Sequence, residues 1–453
     1  MKRLIETIRN IYKIEDLRKR ILYTLGILLI YRFGSFIVLP GVDPSHLSAL
    51  HTQTKEGLLG LLNMFSGGAF SNASIFALGI MPYISASIVV QLLGMAIPYF
   101  QKLQKEGESG RKKINQITRY LTVIILVFQS PGYIANLVAQ MPNEAFYPFS
   151  PDVPPTRFFW VSSVILLTAG SMFVMWLGEK ITDKGIGNGI SLIIMIGIMA
   201  RLPFALAGEF VSRMEEKGGG GLVVFVVEIA VLVLVILISI LLVQGTRKVP
   251  VQYAKRIVGN KQYGGVRQYI PLKVNAAGVM PIIFAQAIMF LPITLVGFTN
   301  SQSVSGFVSA FMDYNGFWYN FTFAVLIILF TYFYTAITVN PNQMAEDMKK
   351  NGGFIPGVKP GRKTAEFMDS ILSKITLPGS IFLAFVAVMP AIIRHTGVSS
   401  QFAQFYGGTS LLILVGVVLD TLQQIESHLL MRHYDGLMKS GRIKGRSTMS
   451  MTG

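Results

Sequence analysis

Long apolar runs separated by short charged stretches dominate this chain. A helix needs about 20 mostly apolar residues to cross a hydrocarbon core of about 30 Å. Ten stretches meet that demand, near 21–39, 74–97, 116–139, 158–178, 186–206, 221–243, 274–297, 317–338, 372–393 and 408–430. The pattern predicts an all-α membrane protein with ten transmembrane helices. The first run follows Arg18, Lys19 and Arg20 as a secretory signal would. It is too long for one, contains Arg32 and lacks a small-residue cleavage site, so it is expected to be retained.

One stretch breaks the rhythm. From Gly57 to Gln101, 45 residues pass without a charge, too many for one span and too few for two with a loop. The surplus is 61–72, an apolar piece interrupted by Gly67-Gly68 and by small polar residues. A re-entrant segment fits it, because irregular backbone at membrane depth is tolerated where protein or a water-filled cavity satisfies its polar groups. An interfacial helix outside the membrane is the other reading.

Composition agrees with a membrane protein. Hydrophobic residues make up 52% of the 453 and charged ones 14%, with a mean hydropathy of +0.53, whereas soluble chains carry about a quarter charged residues. The absence of Cys excludes a disulfide scaffold, a thiolate nucleophile, an iron–sulfur cluster and any zinc site needing sulfur. The net charge of +17 is sided. Alternate loops starting with residues 1–20 hold 33 of the 40 Lys and Arg, and the opposite loops hold six: Lys55, Arg157, Arg201, Arg213, Lys217 and Arg394. Both termini are therefore expected in the cytoplasm, with the basic loops also anchored on anionic membrane lipid.

Two of the basic loops, 245–273 and 341–371, are long enough to project beyond the headgroups, and their Gly and Pro punctuation marks them as docking surfaces. Gly357-Val358-Lys359-Pro360-Gly361-Arg362-Lys363-Thr364 imitates a phosphate loop, but its glycines are one residue too close and no preceding strand is expected. Gly185, Gly187 and Gly189 likewise miss the dinucleotide spacing and suit a tight turn with close helix contact. The ionisable residues within or beside spans are Arg32, Glu228, Asp420 and Glu426, for which structural roles are expected, Arg32 pairing with polar backbone. The five His have no metal-ligand spacing. No metal, cofactor or catalytic group is expected.

Several motifs carry a family resemblance. Asn63-Met64-Phe65-Ser66-Gly67-Gly68-Ala69, followed by Ser74-Ile75-Phe76-Ala77-Leu78-Gly79-Ile80-Met81-Pro82-Tyr83-Ile84-Ser85-Ala86-Ser87-Ile88, resembles the signature of the SecY family, the channel subunits of the bacterial Sec protein translocon. Similar stretches follow in order: Lys105-Glu106-Gly107-Glu108-Ser109-Gly110-Arg111, Gly185-Ile186-Gly187-Asn188-Gly189-Ile190-Ser191, Tyr253-Ala254-Lys255-Arg256, Pro271-Leu272-Lys273-Val274-Asn275 and Gly407-Gly408-Thr409-Ser410-Leu411-Leu412-Ile413. Only the loops around 140–157, 208–220 and 298–316, and the two ends, match no pattern.

The resemblance implies two pseudo-symmetric five-helix halves, 1–206 and 207–430, with a cytoplasmic tail at 431–453. The halves show no evident similarity to each other residue by residue. It implies that 61–72, with Asn63, Met64, Phe65, Ser66, Gly67 and Gly68, is a plug, and that Ile80, Ile84, Ile190, Ile194, Val279, Ile283 and Ile413 ring the pore. Three of the helices would then present apolar pairs at i, i+4, on one helical face, forming a constriction that excludes water and ions by dewetting. A lateral gate would bring Gln91, Thr122 and Asn275 together, with Ser85 and Leu291 on facing helices. Lys255, Arg256, Lys359, Arg362 and Lys363 would contact a motor or ribosome, Lys359 standing where the family has arginine.

The function this implies is translocation of unfolded preproteins bearing signal sequences across the plasma membrane and lateral insertion of membrane proteins, by a channel that is not an enzyme. The implied partners are the SecE and SecG subunits, the SecA ATPase and the ribosome. A secondary transporter of a small solute is the alternative, disfavoured by the scarcity of charge inside the membrane.

Overall fold

The computed structural model describes residues 14–48, 50, 57–149, 154–215, 221–253, 256–258, 261–263, 267–296 and 316–439. Lys255 and most of 298–316 lie outside them. Each of the ten expected spans carries a helix: α1 Glu15–Gly34, α3 Met81–Ala96, α5 Glu108–Gln140, α6 Arg157–Lys184, α7 Gly189–Glu215, α8 Gly221–Gln244, α9 Met280–Val296, α10 Phe317–Thr338, α12 Arg362–Arg394 and α14 Gly408–Lys439. Shorter helices are α2 Gly57–Phe65, α4 Pro98–Lys105, α11 Pro341–Lys350 and α13 Ser400–Ala403. Several hydroxyls along the long helices are satisfied on their own helix: Thr118, Thr122, Ser239, Thr331 and Thr376 each donate to the carbonyl four residues earlier. That local bond lets a polar side chain sit in a membrane helix without a partner from another element.

Helix α3 is 16 residues long, about 24 Å at 1.5 Å per residue and too short to cross alone. The expected spans from 74 and 274 are therefore corrected at their starts, since the residues before both helices run in turns. The cause is the same at both places. Gly79 and Gly278 adopt the left-handed φ values +55° and +63°, which a helix cannot continue through. A Met-Pro pair then opens each helix, with Pro at a position where no backbone N–H is needed.

That parallel corrects the expectation that the two halves lack residue-level similarity. Gly79-Ile80-Met81-Pro82 and Gly278-Val279-Met280-Pro281 are the same motif, and Ile84 and Ile283 follow at the same offset. Ile84 N–H donates to the Ile80 carbonyl at 3.1 Å and Ile283 N–H to the Val279 carbonyl at 3.4 Å, so each pair spans the first helical turn.

The chain divides into two compact units. Residues 1–50, 65–198 and 417–453 form the first, in which α5 packs on both α3 and α6, and α4 folds back on α5. Residues 51–64 and 199–416 form the second, in which α10 packs between α9 and α12.

Within the second unit the two long loops are not loops. Strands β1 Thr246–Tyr253 and β4 Arg267–Lys273 pair antiparallel, Thr246 opposite Lys273 through Gln252 opposite Arg267. The two-residue strand β5 Gly353–Phe354, from the other loop, pairs with the far end of β1, giving the sheet order β4-β1-β5. A second ribbon, β2 Arg256–Val258 with β3 Lys261–Tyr263, extends from the same hairpin. Beneath the sheet Val249, Val251, Leu272, Met348, Ile355, Met368 and Leu372 form a buried apolar core. Alternate strand residues face it while Arg247, Lys248, Arg267 and Lys273 are exposed. The expectation that no strand precedes Gly357 is corrected by β5, although a strand of two residues is too short to support a phosphate loop at 357–364.

Candidate functional site

The surplus segment is buried. Helix α2 ends at Phe65, and residues 66–80 then run through turns rather than a helix. Asn63, Met64, Phe65 and Ser66 are 4–6% exposed, and Ala69, Ser71, Ala73 and Ser74 are completely covered. This burial excludes an interfacial helix lying against water or headgroups. The irregular backbone survives because it is hydrogen-bonded. Phe70 N–H donates to Ser66 Oγ at 3.1 Å, and Ser71 Oγ donates to the Gly68 carbonyl at 3.1 Å. Leu39 N–H donates to the Ala73 carbonyl at 2.9 Å, and Ile75 N–H to the Ile37 carbonyl at 3.0 Å.

Three side chains of the first unit hold the segment by its own carbonyls. Tyr31 Oη donates to the Ser66 carbonyl at 3.2 Å, Arg32 Nη1 to the Gly67 carbonyl at 2.7 Å, and Tyr133 Oη to the Phe70 carbonyl at 2.9 Å. The Phe70 and Tyr133 rings meet edge to face with centroids 4.8 Å apart, and Arg32 also lies over the Phe36 ring at 5.3 Å. Arg32 thus pairs with polar backbone as expected, and the backbone is that of 61–72. Glycine is required at the tightest point. A Cβ on Gly67, whose φ is +64°, would lie 2.8 Å from the Cα of Gly197 and from Arg32 Nη1. One on Gly197 would lie 2.9 Å from the Phe65 carbonyl oxygen.

Of the expected pore residues, Ile80 and Ile194 are buried in the first unit and Ile413 in the second, while Ile84, Ile190, Val279 and Ile283 are partly exposed. Ile80 and Val279 immediately precede α3 and α9, and Ile190 stands in the first turn of α7. In the second unit Thr409 donates to Gln286 Oε1 at 2.6 Å and both are buried, which ties the start of α14 to α9 through a pair not anticipated from sequence.

The expected gate amides and hydroxyl bond locally. Gln91 donates to Ser87 Oγ at 3.3 Å, Thr122 to the Thr118 carbonyl at 2.7 Å, and Asn275 Nδ2 to the Gly278 carbonyl at 3.0 Å. Ser85 is partly exposed on α3; the side chains of Leu291 and Arg256 lie outside the described residues. Lys359 is exposed between Gly357 and Gly361, both left-handed, and its carbonyl accepts from the buried Thr364 hydroxyl at 3.0 Å. Arg362 and Lys363 are tied to Glu366 at 3.3 and 3.1 Å. The Lys363 ammonium holds the Glu366 carboxyl below its ordinary range.

One cluster was missed. Arg213, counted from sequence among external loop charges, lies in the last turn of α7 and is 7% exposed. Its Nε is 3.1 Å from Glu209 Oε1 and its Nη2 is 2.6 Å from Glu228 Oε1, and Nη2 also donates to the Gly397 carbonyl at 2.9 Å. Glu209 Oε2 in turn accepts from Ser399 N–H at 2.9 Å. The three charges clasp the 397–399 turn to α7 and α8. Removing one member of such a buried set costs about 3–5 kcal/mol, because the remaining charge is stranded. The i, i+4 spacing of Glu209 and Arg213 in an apolar helix was the available signal. Elsewhere in the second unit, a cavity of about 30 Å³ is lined by Asn63, Met64, Arg201, Phe204, Gln404 and Phe405 among others, room for about two waters.

Known proteins resemble this chain along nearly its whole length. The SecY family model matches residues 74–422. The "Protein translocase subunit SecY" of Streptomyces scabiei is 45% identical over 94% of this chain and 98% of its own length. That of Corynebacterium glutamicum is 43% identical over the same shares. Among solved structures, one described as "The structure of a protein conducting channel" aligns with a TM-score of 0.61 at 16% identity, covering 95% of both chains. Another, "Sec61 in the Canine ribosome-channel complex from the endoplasmic reticulum", gives 0.57 at 15% identity over 95% of both. The fold is the two-half, ten-helix channel fold of those structures, and by its sequence this multi-pass membrane chain belongs to the SecY family.

Proposed function

We propose that this protein-conducting channel is closed at rest by residues 61–72 acting as a plug, and sealed by an apolar ring of Ile80, Ile84, Ile190, Ile194, Val279, Ile283 and Ile413. The observation that carries the reading is the grip on the buried segment. Residues 66–70 are held by Tyr31, Arg32 and Tyr133 through their carbonyls rather than woven into a helix. A segment attached by a few side-chain bonds can leave without unfolding the bundle. A related structure, aligned with a TM-score of 0.58 at 17% identity, is described as showing that the plug domain "stablizes the closed state of the translocation channel and maintains a membrane seal".

In this reading unfolded preproteins pass through the ring, and hydrophobic segments leave sideways between α3 and α5 on one side and α9 and α10 on the other. Gln91, Thr122 and Asn275 keep their hydrogen bonds within their own segments, so gate opening breaks none of them. The halves are 1–206 and 207–430, a division supported by the Gly-Ile/Val-Met-Pro motif at matching positions. Both termini lie in the cytoplasm and the membrane is the plasma membrane. SecE and SecG complete the assembly, and SecA or the ribosome docks on the sheet platform and the basic stretches around it, 245–273 and 341–371, whose sequence supplies Lys255, Arg256, Lys359, Arg362 and Lys363. The chain itself performs no covalent chemistry. The solute-transporter alternative has no support among the relatives.

The test is conductance in planar bilayers together with preprotein transport by vesicles. Replacing Ile84, Ile190, Ile283 and Ile413 together with Ser should raise resting ion conductance, because dewetting depends on apolar walls. Deleting residues 61–70 should raise it too while transport persists. Unchanged conductance in both variants would show that plug and ring are misassigned.

A further inference from the structure

The seat of the buried segment recognises backbone. Its three donors, Tyr31 Oη, Arg32 Nη1 and Tyr133 Oη, contact the carbonyls of Ser66, Gly67 and Phe70, and none of these three bonds is to a side chain of the segment. Tyr31 and Tyr133 are 1% and 5% exposed, so their hydroxyls are buried at rest, while Arg32 is partly exposed. When the segment leaves, all three lose their acceptors at once. An unmade hydrogen bond at a buried donor is costly, so the two hydroxyls above all must be satisfied again by whatever enters. An unfolded polypeptide offers a carbonyl at every residue whatever its sequence, spaced about 3.3 Å along the chain.

We propose that Tyr31, Arg32 and Tyr133, once vacated by the plug, form a sequence-independent grip on the backbone carbonyls of the polypeptide in transit. The proposal rests on the plug reading. The kind of partner it fits is an extended, unfolded chain. The grip is necessarily weak, because each bond exchanges for one with water and contributes little net free energy. Weakness suits a surface past which a chain must slide: it permits forward movement under a motor and opposes slippage between strokes. The donors stand on two different elements, α1 and α5, so the grip does not depend on one helix.

The experiment uses the assembled channel lacking residues 61–70, in which the plug cannot occupy the donors. Tyr31→Phe, Arg32→Gln and Tyr133→Phe are combined in that background; both Phe changes keep the ring and remove only the hydroxyl. Transport of an unfolded preprotein is started with the motor and ATP, then ATP is depleted, and the half-life of the protease-protected intermediate is followed as it slips back. Its half-life should fall about fivefold in the triple variant, the rate equivalent of losing about one net hydrogen bond. Equal half-lives would mean that water satisfies the donors and would overturn the grip.

A second measurement stands if the triple variant assembles poorly. The chain has no native Cys, so Tyr133→Cys alone in the full-length channel, treated with an added thiol oxidant, should form a disulfide with cysteines placed along a stalled preprotein, and no disulfide from any position would also overturn it. The underlying reading fails differently, as a plugless channel that leaks no more than the intact one.

Discussion

Gly67 and Gly197 set the fit of the buried segment 66–70 at the scale of single residues. The left-handed φ of Gly67 admits an L side chain only at a cost of about 1–2 kcal/mol, and the added Cβ would also press on Gly197 and Arg32. Gly67→Ala should therefore shift the segment from its seat and raise the resting ion conductance, without preventing assembly. Gly208→Ala is the control, since a Cβ there meets nothing within 4 Å in helix α7 and should leave conductance unchanged. Equal conductance for the Gly67 variant and the parent would show that the seat tolerates a methyl group. The need for Gly at 67 was partly legible, because a glycine pair in an apolar run argues against a continuous helix. Its partner Gly197, 130 positions further along the sequence, was not, since close approach between distant segments leaves no local trace. The Arg213 clasp was hidden for a related reason: a charged residue near an expected helix end looks like a loop residue until the neighbouring Glu228 is seen.

The helices were readable as elements because each span concentrates its apolar residues in one run, and a window of about 20 residues detects that without knowing any contact. The strands were not, although β1 alternates buried Val249 and Val251 with exposed residues in the manner of a half-covered strand. Gly259-Asn260, between the paired ends Val258 and Lys261, is also a two-residue hairpin signal. Basic residues and Gly punctuation outweighed both signals. A folded platform makes a prediction that a pair of floppy loops does not. Amides along Thr246–Tyr253 and Arg267–Lys273 that pair in the ladder should exchange slowly with solvent water, and Met368→Ala, which opens about 2–5 kcal/mol of cavity in the core beneath them, should accelerate that exchange. Fast exchange in the parent chain would contradict the sheet. Charge at the tip has its own test. Lys359 lacks the planar fork of arginine, so if the contact is one of charge alone, Lys359→Arg should support motor-driven transport and Lys359→Glu should abolish it while the platform amides stay protected. Normal transport by the Glu variant would remove Lys359 from the coupling surface.

The whole molecule is organised by a repeat and by an asymmetry of charge. The repeat surfaces where geometry is most demanding: a left-handed glycine and an apolar residue lead into a Met-Pro helix start at both α3 and α9. Elsewhere the halves are free to diverge, because any apolar side chain suits a lipid-facing position. The charge asymmetry works at longer range, since 33 of the 40 basic residues belong to one set of alternate loops, and basic loops resist transfer across the membrane. The sheet platform falls in that set, through 245–273 and 341–371. The opposite set becomes poorer still once Arg213 is removed from it, because this guanidinium is neutralised by two buried carboxylates and cannot act as a retained loop charge. Orientation can then be tested on a background without native thiols. A cysteine replacing Lys261, in strand β3 of the platform, should react with a membrane-impermeant thiol reagent only from the cytoplasmic side. One replacing Ser305, in the opposite set and outside the described residues, should react only from the other side. Reversed labelling of both would invert the topology, and labelling of both from one face would show that the number of crossings between them is even, contrary to the single span α9 that separates the two positions.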